Sequence, residues 1–365
     1  MRRSPLSVAT SRRGLFGLAG LALVATACGG GSDTPDERPT APGSPLWTFA
    51  PHGAASAAPA APAGDTVYVA RAGAAVYALD TRDGSARWES ATGTSASRPA
   101  LADDLLVTGL GGGDLVALDA ADGAERWRVP TSGMGVFSAP AVADGVAYVG
   151  GLDGVVRAVE VAGGAEVWTV ATDGQFFADP RLRDGAVHLG GGDGLLSAWD
   201  TADGTERWAL DTGEGVVSTV AFVGDLVCAG TAAGRVHAVE ARSGERRWTA
   251  DVSGQVIGPV AAEGLLLVPC AAGRRLYALD GASGEERWQA TVTGDLLPLA
   301  VHGDTVYYPA EPRLLVAAEL ATGAVRWEYE IGTADAPGEH VLHLAASDDT
   351  LYAGTDQATV IALTR

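Results

Sequence analysis

The side chains of this 365-residue chain that could do chemistry are few and scattered: six histidines, three cysteines and no lysine. A metal site needs ligands that converge on one point. Only Glu339-His340-Val341-Leu342-His343 brings two histidines close, and residues three apart on a strand point to opposite faces, so no metal site is expected. No Ser/His/Asp or Cys/His grouping stands out by spacing, although a dispersed triad would leave no such trace. Three glycine-rich stretches, Gly111-Gly112-Gly113-Asp114, Gly150-Gly151-Leu152-Asp153-Gly154 and Gly190-Gly191-Gly192-Asp193-Gly194, invite a phosphate-loop reading. No lysine and no helical pattern follows any of them, so they are read as hairpin turns. No catalytic residue and no cofactor is expected.

What positions these residues is a repeat. The string Ala-x-Asp-x-x-x-Gly-x-x-x-Trp occurs seven times, starting at Ala78, Ala117, Ala158, Ala198, Ala238, Ala278 and Ala317 and ending at Trp88, Trp127, Trp168, Trp208, Trp248, Trp288 and Trp327. The acid is Glu at Glu160, Glu240 and Glu319, and successive tryptophans lie 39 to 41 residues apart. A period near forty signals a repeat architecture. Each copy reads as an apolar strand, a turn whose Gly can take positive φ, and a second strand carrying the Trp. Turn signals every 8–12 residues leave no room for helices, and the 50 glycines suit an all-β chain. Four strands fit one period, for example Ile257–Glu263, Leu265–Pro269, Arg275–Asp280 and Arg287–Thr291.

Residues 46–365 make eight such periods, so an eighth copy must be split. Its first half is the C-terminal Thr359-Val360-Ile361-Ala362-Leu363-Thr364, and its second is Leu46-Trp47-Thr48-Phe49. The expectation is an eight-bladed β-propeller of four-stranded blades whose last blade is closed by the N-terminal strand. Each tryptophan, Trp47 included, is expected to fill the seam between blades. Cys228 and Cys270 fall in neighbouring blades, near the ends of second strands, too far apart for a disulfide; buried free thiols are expected.

The repeat resembles the tryptophan-docking motif of the quinoprotein-like (PQQ-like) β-propeller family over nearly all of residues 46–365. That repeat serves dehydrogenases and non-catalytic scaffolds alike. The family's alcohol oxidisers carry pyrroloquinoline quinone, a disulfide between adjacent cysteines and a calcium held partly by Asn. This chain has no adjacent cysteines and no Asn.

Residues 1–27 read as an export signal: Arg2, Arg3, Arg12 and Arg13 precede an apolar Gly14–Ala25 run too short for a standard membrane span. Ser11-Arg12-Arg13-Gly14-Leu15-Phe16 resembles a twin-arginine signal, and Ala25-Thr26-Ala27-Cys28 resembles a lipobox that would place a lipid on Cys28. Residues 28–45, rich in Gly, Ser and Pro, read as the lipidated cysteine and a disordered linker. The net charge of −20 argues against nucleic acid as a partner.

One column departs from simple packing. The loops leading into the blades carry apolar pairs, Val136-Phe137, Phe176-Phe177, Val216-Val217, Val256-Ile257 and Leu296-Leu297. Alternation sends one member of each pair into the core and the other toward the axis or rim. Either both serve the core, or Phe137, Phe177, Val217, Ile257 and Leu297 form an apolar funnel rimmed by Arg98, Asp179, Gln175, Gln255, Glu214 and Asp295. In size, repeat and lipid anchor the chain resembles the propeller lipoproteins of the outer-membrane protein assembly machine. The expected function is a monomeric, non-catalytic protein-binding scaffold in the cell envelope, lipid-anchored to the outer face of the bacterial cell membrane. A small quinoprotein-like oxidoreductase or sugar-binding enzyme is the alternative.

Overall fold

The computed structural model describes residues 41–50, 57–59, 62–71, 75–94, 96–131, 135–136, 138–216, 218–271, 273–292, 298–310, 314–331, 340–357 and 359–365. Cys28 and the rest of the leader lie outside them, as do Phe137, Val217, Asp295, Leu296 and Leu297. Every regular element among the described residues is a β-strand, and the strands form eight four-stranded antiparallel sheets.

Seven sheets take four consecutive strands; in the third these are Ala141–Ala143, Val146–Gly150, Val155–Glu160 and Glu166–Ala171. The eighth takes Val341–Ala346, Thr350–Thr355 and Val360–Thr364 from the C-terminus and Pro45–Phe49 from the N-terminus. This is the eight-bladed propeller the period implies. Blades are numbered 1 to 8 from residue 57 onward. First strands of neighbouring blades approach one another, so they line the axis. The core lies between blades: Val107, Leu115 and Ala117 of blade 2 pack with Ala147, Val149 and Val159 of blade 3.

The docking motif supplies both faces of each seam. Within a blade its Ala and Trp are cross-strand partners, as Ala158 is to Trp168, and a bulge follows directly. The Trp then crosses to the next blade. Trp168 Nε1 donates to the carbonyl of Thr201 at 2.9 Å, and Trp88, Trp127, Trp208, Trp248 and Trp288 donate to Ala120, Val161, Ala241, Gly281 and Leu320. Its ring lies on the motif glycine of that blade. A Cβ on Gly123 would stand 2.6 Å from the Trp88 ring, and Gly123 has φ of 75°, so two requirements converge on glycine. The motif acid shapes the turn: Asp280 Oδ1 accepts the N–H groups of Ala282 and Ser283, while Oδ2 pairs with Arg287 at 2.7 Å.

The split copy reproduces the Ala, Trp and Gly geometry, with Thr364 in the place of the acid. Trp47 pairs with Ala362 across the ladder, a bulge follows, and its Nε1 donates to Thr81 of blade 1 at 2.9 Å. The glycine of the eighth motif is Gly43, with φ of 78° and the Trp327 ring stacked on it. Gly43 N–H donates to Thr364 O and Ser44 N–H to Thr364 Oγ1. Folded structure is therefore present before Leu46, and residues 41–45 complete the last blade.

In blade 6 the first strand is Val260–Ala262 rather than Ile257–Glu263. Pro259 has no N–H to give the ladder, and Glu263 turns left-handed with φ of 47°. Cys228 and Cys270 are buried free thiols in one core cluster, with burial raising both to about 12.

Candidate functional site

The lead-in loops deliver two side chains with opposite fates. Val136, Phe176, Val216 and Val256 are buried. Each fills the space above a glycine ending the second strand of the preceding blade: Val136 over Gly109, Phe176 over Gly150, Val216 over Gly190 and Val256 over Gly230. These first members of the apolar pairs are seam residues. Of the second members, Phe177 is 52% exposed and lies beside the glycine turn at Gly192, whereas Ile257 is half-buried and faces the axis.

Two residues before each first strand, or at the equivalent place in the longer first strand of blade 8, the chain contributes one residue to a ring about the axis. From blade 2 to blade 8 these are Arg98, Ala139, Asp179, Thr219, Gly258, Pro298 and His343. The ring encloses a cavity of about 330 Å3 lined by residues of blades 2, 4, 5, 6, 7 and 8, and a space touched by six blades can only lie on the axis. A second cavity of about 270 Å3 adjoins it on the side of blades 2 to 5 and shares Arg98, Asp179 and Arg181 with it.

Asp179 ties this ring together. Its Oδ2 accepts from Arg98 Nη2 at 2.9 Å, its Oδ1 accepts the N–H of Ala139 at 2.7 Å, and its own N–H donates to Thr219 Oγ1 at 3.2 Å. One residue thus joins blades 2, 3, 4 and 5, the first three through its carboxylate and the last through its backbone N–H. Arg181, first residue of its strand, stands where the other described blades carry Ala or Val. It is open to solvent through the mouth but has protein around its other sides. Lost hydration pulls its guanidinium below the ordinary value, with Asp179 opposing and Arg98 adding to the shift. An arginine so placed remains charged. Burial pushes the His343 imidazole down to about 4, with Arg98 adding to the effect, so it is neutral near pH 7. The cavity therefore holds two guanidinium groups against one carboxylate.

Several rim residues expected from sequence face elsewhere. Glu214 Oε2 accepts from Thr231 Oγ1 at 2.9 Å, in the glycine turn of its own blade. Gln175 and Gln255 are exposed and do not line the axial cavities. His340 is exposed while His343 lines the axis, so the two histidines do not converge. Sequence reasoning missed Arg181 as an axial residue, and weighed His343 only as a metal ligand. The available signal was a break in the repeat: an arginine in a column of alanine and valine.

The chain has none of the adjacent cysteines that accompany quinone and calcium in the family's alcohol oxidisers. Among the described residues no group of three or more His, Cys, Asp or Glu can hold a metal ion. The residues present do not fit that calcium-and-quinone pattern.

The fold recurs in solved structures. BamB from Moraxella catarrhalis is 18% identical with a TM-score of 0.73, over 88% of this chain and 97% of that one. The computationally designed Ika8 protein is 17% identical with a TM-score of 0.76, over 88% and 100%. Quinohemoprotein alcohol dehydrogenase from Comamonas testosteroni is 15% identical with a TM-score of 0.72, over 88% of this chain and 76% of that one. At such identities the likeness shows the fold alone. No curated protein matches the sequence. The family model described as outer membrane protein assembly factor BamB matches residues 39–136, 111–257 and 236–365, and so spans every blade; the chain belongs to that family.

Proposed function

We propose that this protein is an extracytoplasmic lipoprotein, anchored through Cys28 to the outer face of the cell membrane, that works as a non-catalytic scaffold for protein partners in the envelope. The observation that carries the reading is membership of the assembly-factor family along the whole ring. The docking surface is assigned to the face bearing the lead-in loops, where Phe177 exposes an aromatic ring beside a glycine turn. Solvent-exposed aromatic rings are the usual anchors of protein–protein contacts. Phe137, Val217 and Leu297 belong to the same proposed surface, with Ile257, Arg98 and Asp179 at its axial centre.

The test places a photo-crosslinking residue at Phe177 and, separately, at Val325, an exposed apolar position on the outer strand of blade 7. In membranes of the native host, a discrete protein adduct is expected at 177 and none at 325. Adducts of equal yield at both sites, or at neither, would sink the assignment of this face. Cys28→Ser is expected to release the protein from membranes; undiminished retention would refute the anchor. The oxidoreductase alternative predicts dye reduction with an alcohol or sugar once pyrroloquinoline quinone and calcium are added, and that result would overturn the scaffold reading.

A further inference from the structure

Acidic residues outnumber arginines 45 to 25 in this chain, and most of the described arginines sit in ion pairs. Arg181 is an exception. Among the described residues its side chain forms no ion pair and donates no hydrogen bond, although it lies within electrostatic reach of Asp179 and Arg98. It lines both axial cavities, where a surplus guanidinium meets space large enough for a small molecule.

We propose that the axial cavity is a binding site for a small monocarboxylate with an apolar body, held by Arg181 and Thr219, with Arg98 shared between the ligand and Asp179. The charge balance selects the ligand. Two guanidinium groups, one carboxylate and a neutral His343 leave one positive charge, which a single carboxylate neutralises. A dianion such as phosphate would bring a second negative charge toward Asp179 with nothing to offset it. The donor geometry agrees: a guanidinium fork accepts a planar carboxylate with two parallel N–H bonds. Arg98 has spent one N–H on Asp179 and keeps others. Thr219 Oγ1 accepts the Asp179 N–H, so its own hydroxyl hydrogen remains to be donated. The apolar body follows from the rest of the lining, where Ile257, Pro259, Pro298, Leu299 and Leu342 close the side away from the arginines.

Benzoate is the probe, titrated calorimetrically into the full-length mature protein, with benzamide as its uncharged counterpart and inorganic phosphate as a competing anion. Saturable benzoate binding is expected, weakened roughly tenfold or more in Arg181→Gln because a charge-assisted fork is lost. Arg181→Lys, which keeps the charge but not the fork, falls between the two. Arg242→Gln, an exposed arginine paired with Asp184, leaves binding unchanged. Circular dichroism melts check that each variant is folded; should Arg181→Gln not fold, the comparison of benzoate with benzamide on the wild-type protein decides. No saturable benzoate binding, equal affinity for benzamide, equal affinity in a folded Arg181→Gln, or phosphate bound as tightly as benzoate would each overturn the assignment. None of these readouts depends on cross-linking at Phe177, so this site and the docking face stand or fall separately.

Discussion

At the seams between blades, one geometry is used eight times: a Trp opposite an Ala, a bulge, and a ring laid on the glycine of the next blade. At the axis the same periodic position is Arg98, Ala139, Asp179, Thr219, Gly258, Pro298 and His343, with no residue type repeated among the charged ones. The seams must satisfy a single packing problem again and again, so substitutions there are penalised identically in every blade. The axis is walled by short strands paired within their own blades, so the ring needs no common side chain there, although Asp179 ties blades 2 to 5. It is therefore free to diverge, and chemistry accumulates where the repeat breaks.

The largest effect is expected from opening the ring. Removing residues 1–50 deletes the outer strand of blade 8 together with Trp47 and Gly43, exposing a sheet edge and undoing two seams at once. That protein should aggregate or melt far below the wild type. Removing 1–40 should leave the melting temperature unchanged, and removing 1–44 should fall between, because Trp327 loses the glycine on which it stacks. Equal melting of the 1–40 and 1–50 truncations would mean that the seam at blade 8 is not equivalent to the others.

A single seam residue comes next. Trp168 is buried, contacts the Tyr148 ring and donates to Thr201 across the seam. Trp168→Ala should cost about 3–5 kcal/mol in chemical denaturation, as deletion of a large core side chain does. Arg181→Gln at the axis should stay within about 0.5 kcal/mol, as substitutions outside packed or paired positions do. If the two variants are equally destabilised, the axis is part of the structural frame and the division between the regions fails.

That division also explains what was legible beforehand. The seam motif recurs at fixed spacing, so blade number, strand count and the closing role of Trp47 follow from the repeat alone. Gly43 escaped because the split motif places it amid Gly, Ser and Pro residues of linker composition, where one glycine carries no signal. At the axis, the meeting of Arg98 with Asp179 joins blades 2 and 4, 81 residues apart, and spacing along the chain does not encode a contact across the ring. The registration of His343 was hidden by the bulge between Val341 and His343 in a first strand longer than its counterparts.

Histidine titration separates the regions more gently. His188 and His237 are buried in the blades and His343 lines the axis; burial lowers all three, His237 and His343 to about 4. A depressed folded-state value means that the unfolded chain takes up protons first as the pH falls. The stabilisation is thus complete above about pH 6.5 and is lost progressively toward pH 4. Among the described residues neither ring nitrogen of His237 has a hydrogen-bond partner, so His237→Leu should flatten the decline in denaturation midpoint over this window. His188 takes the place of Tyr148 and Tyr68 in other blades, with Nε2 at 3.2 Å from the carbonyl of Ala241; His188→Tyr should flatten it too while keeping that contact. A slope unchanged in both variants would assign the acid sensitivity elsewhere.

The smallest effect is expected at the motif acid, the one seam residue that faces water. Asp280 is held down to about 2, first by Arg287, then by the N–H of Ser283. Its carboxylate therefore stabilises the fold fully above about pH 4, and that contribution fades as the pH falls toward 2. Asp280→Asn keeps an oxygen to accept the turn N–H groups but loses the charge that Arg287 pairs with. Because the pair is exposed, the loss at pH 7 should be small and reduced further by salt. It should be much smaller at pH 2, where the wild-type carboxylate is itself about half protonated. Melting curves of the two proteins at pH 7 and pH 2, each in low and high salt, test this. A difference as large at pH 2 as at pH 7 would show that the acid acts through the shape of the turn and not through its charge. The Glu found at Glu160, Glu240 and Glu319 would then be a change of geometry, and those seams should be weaker than the ones built on Asp.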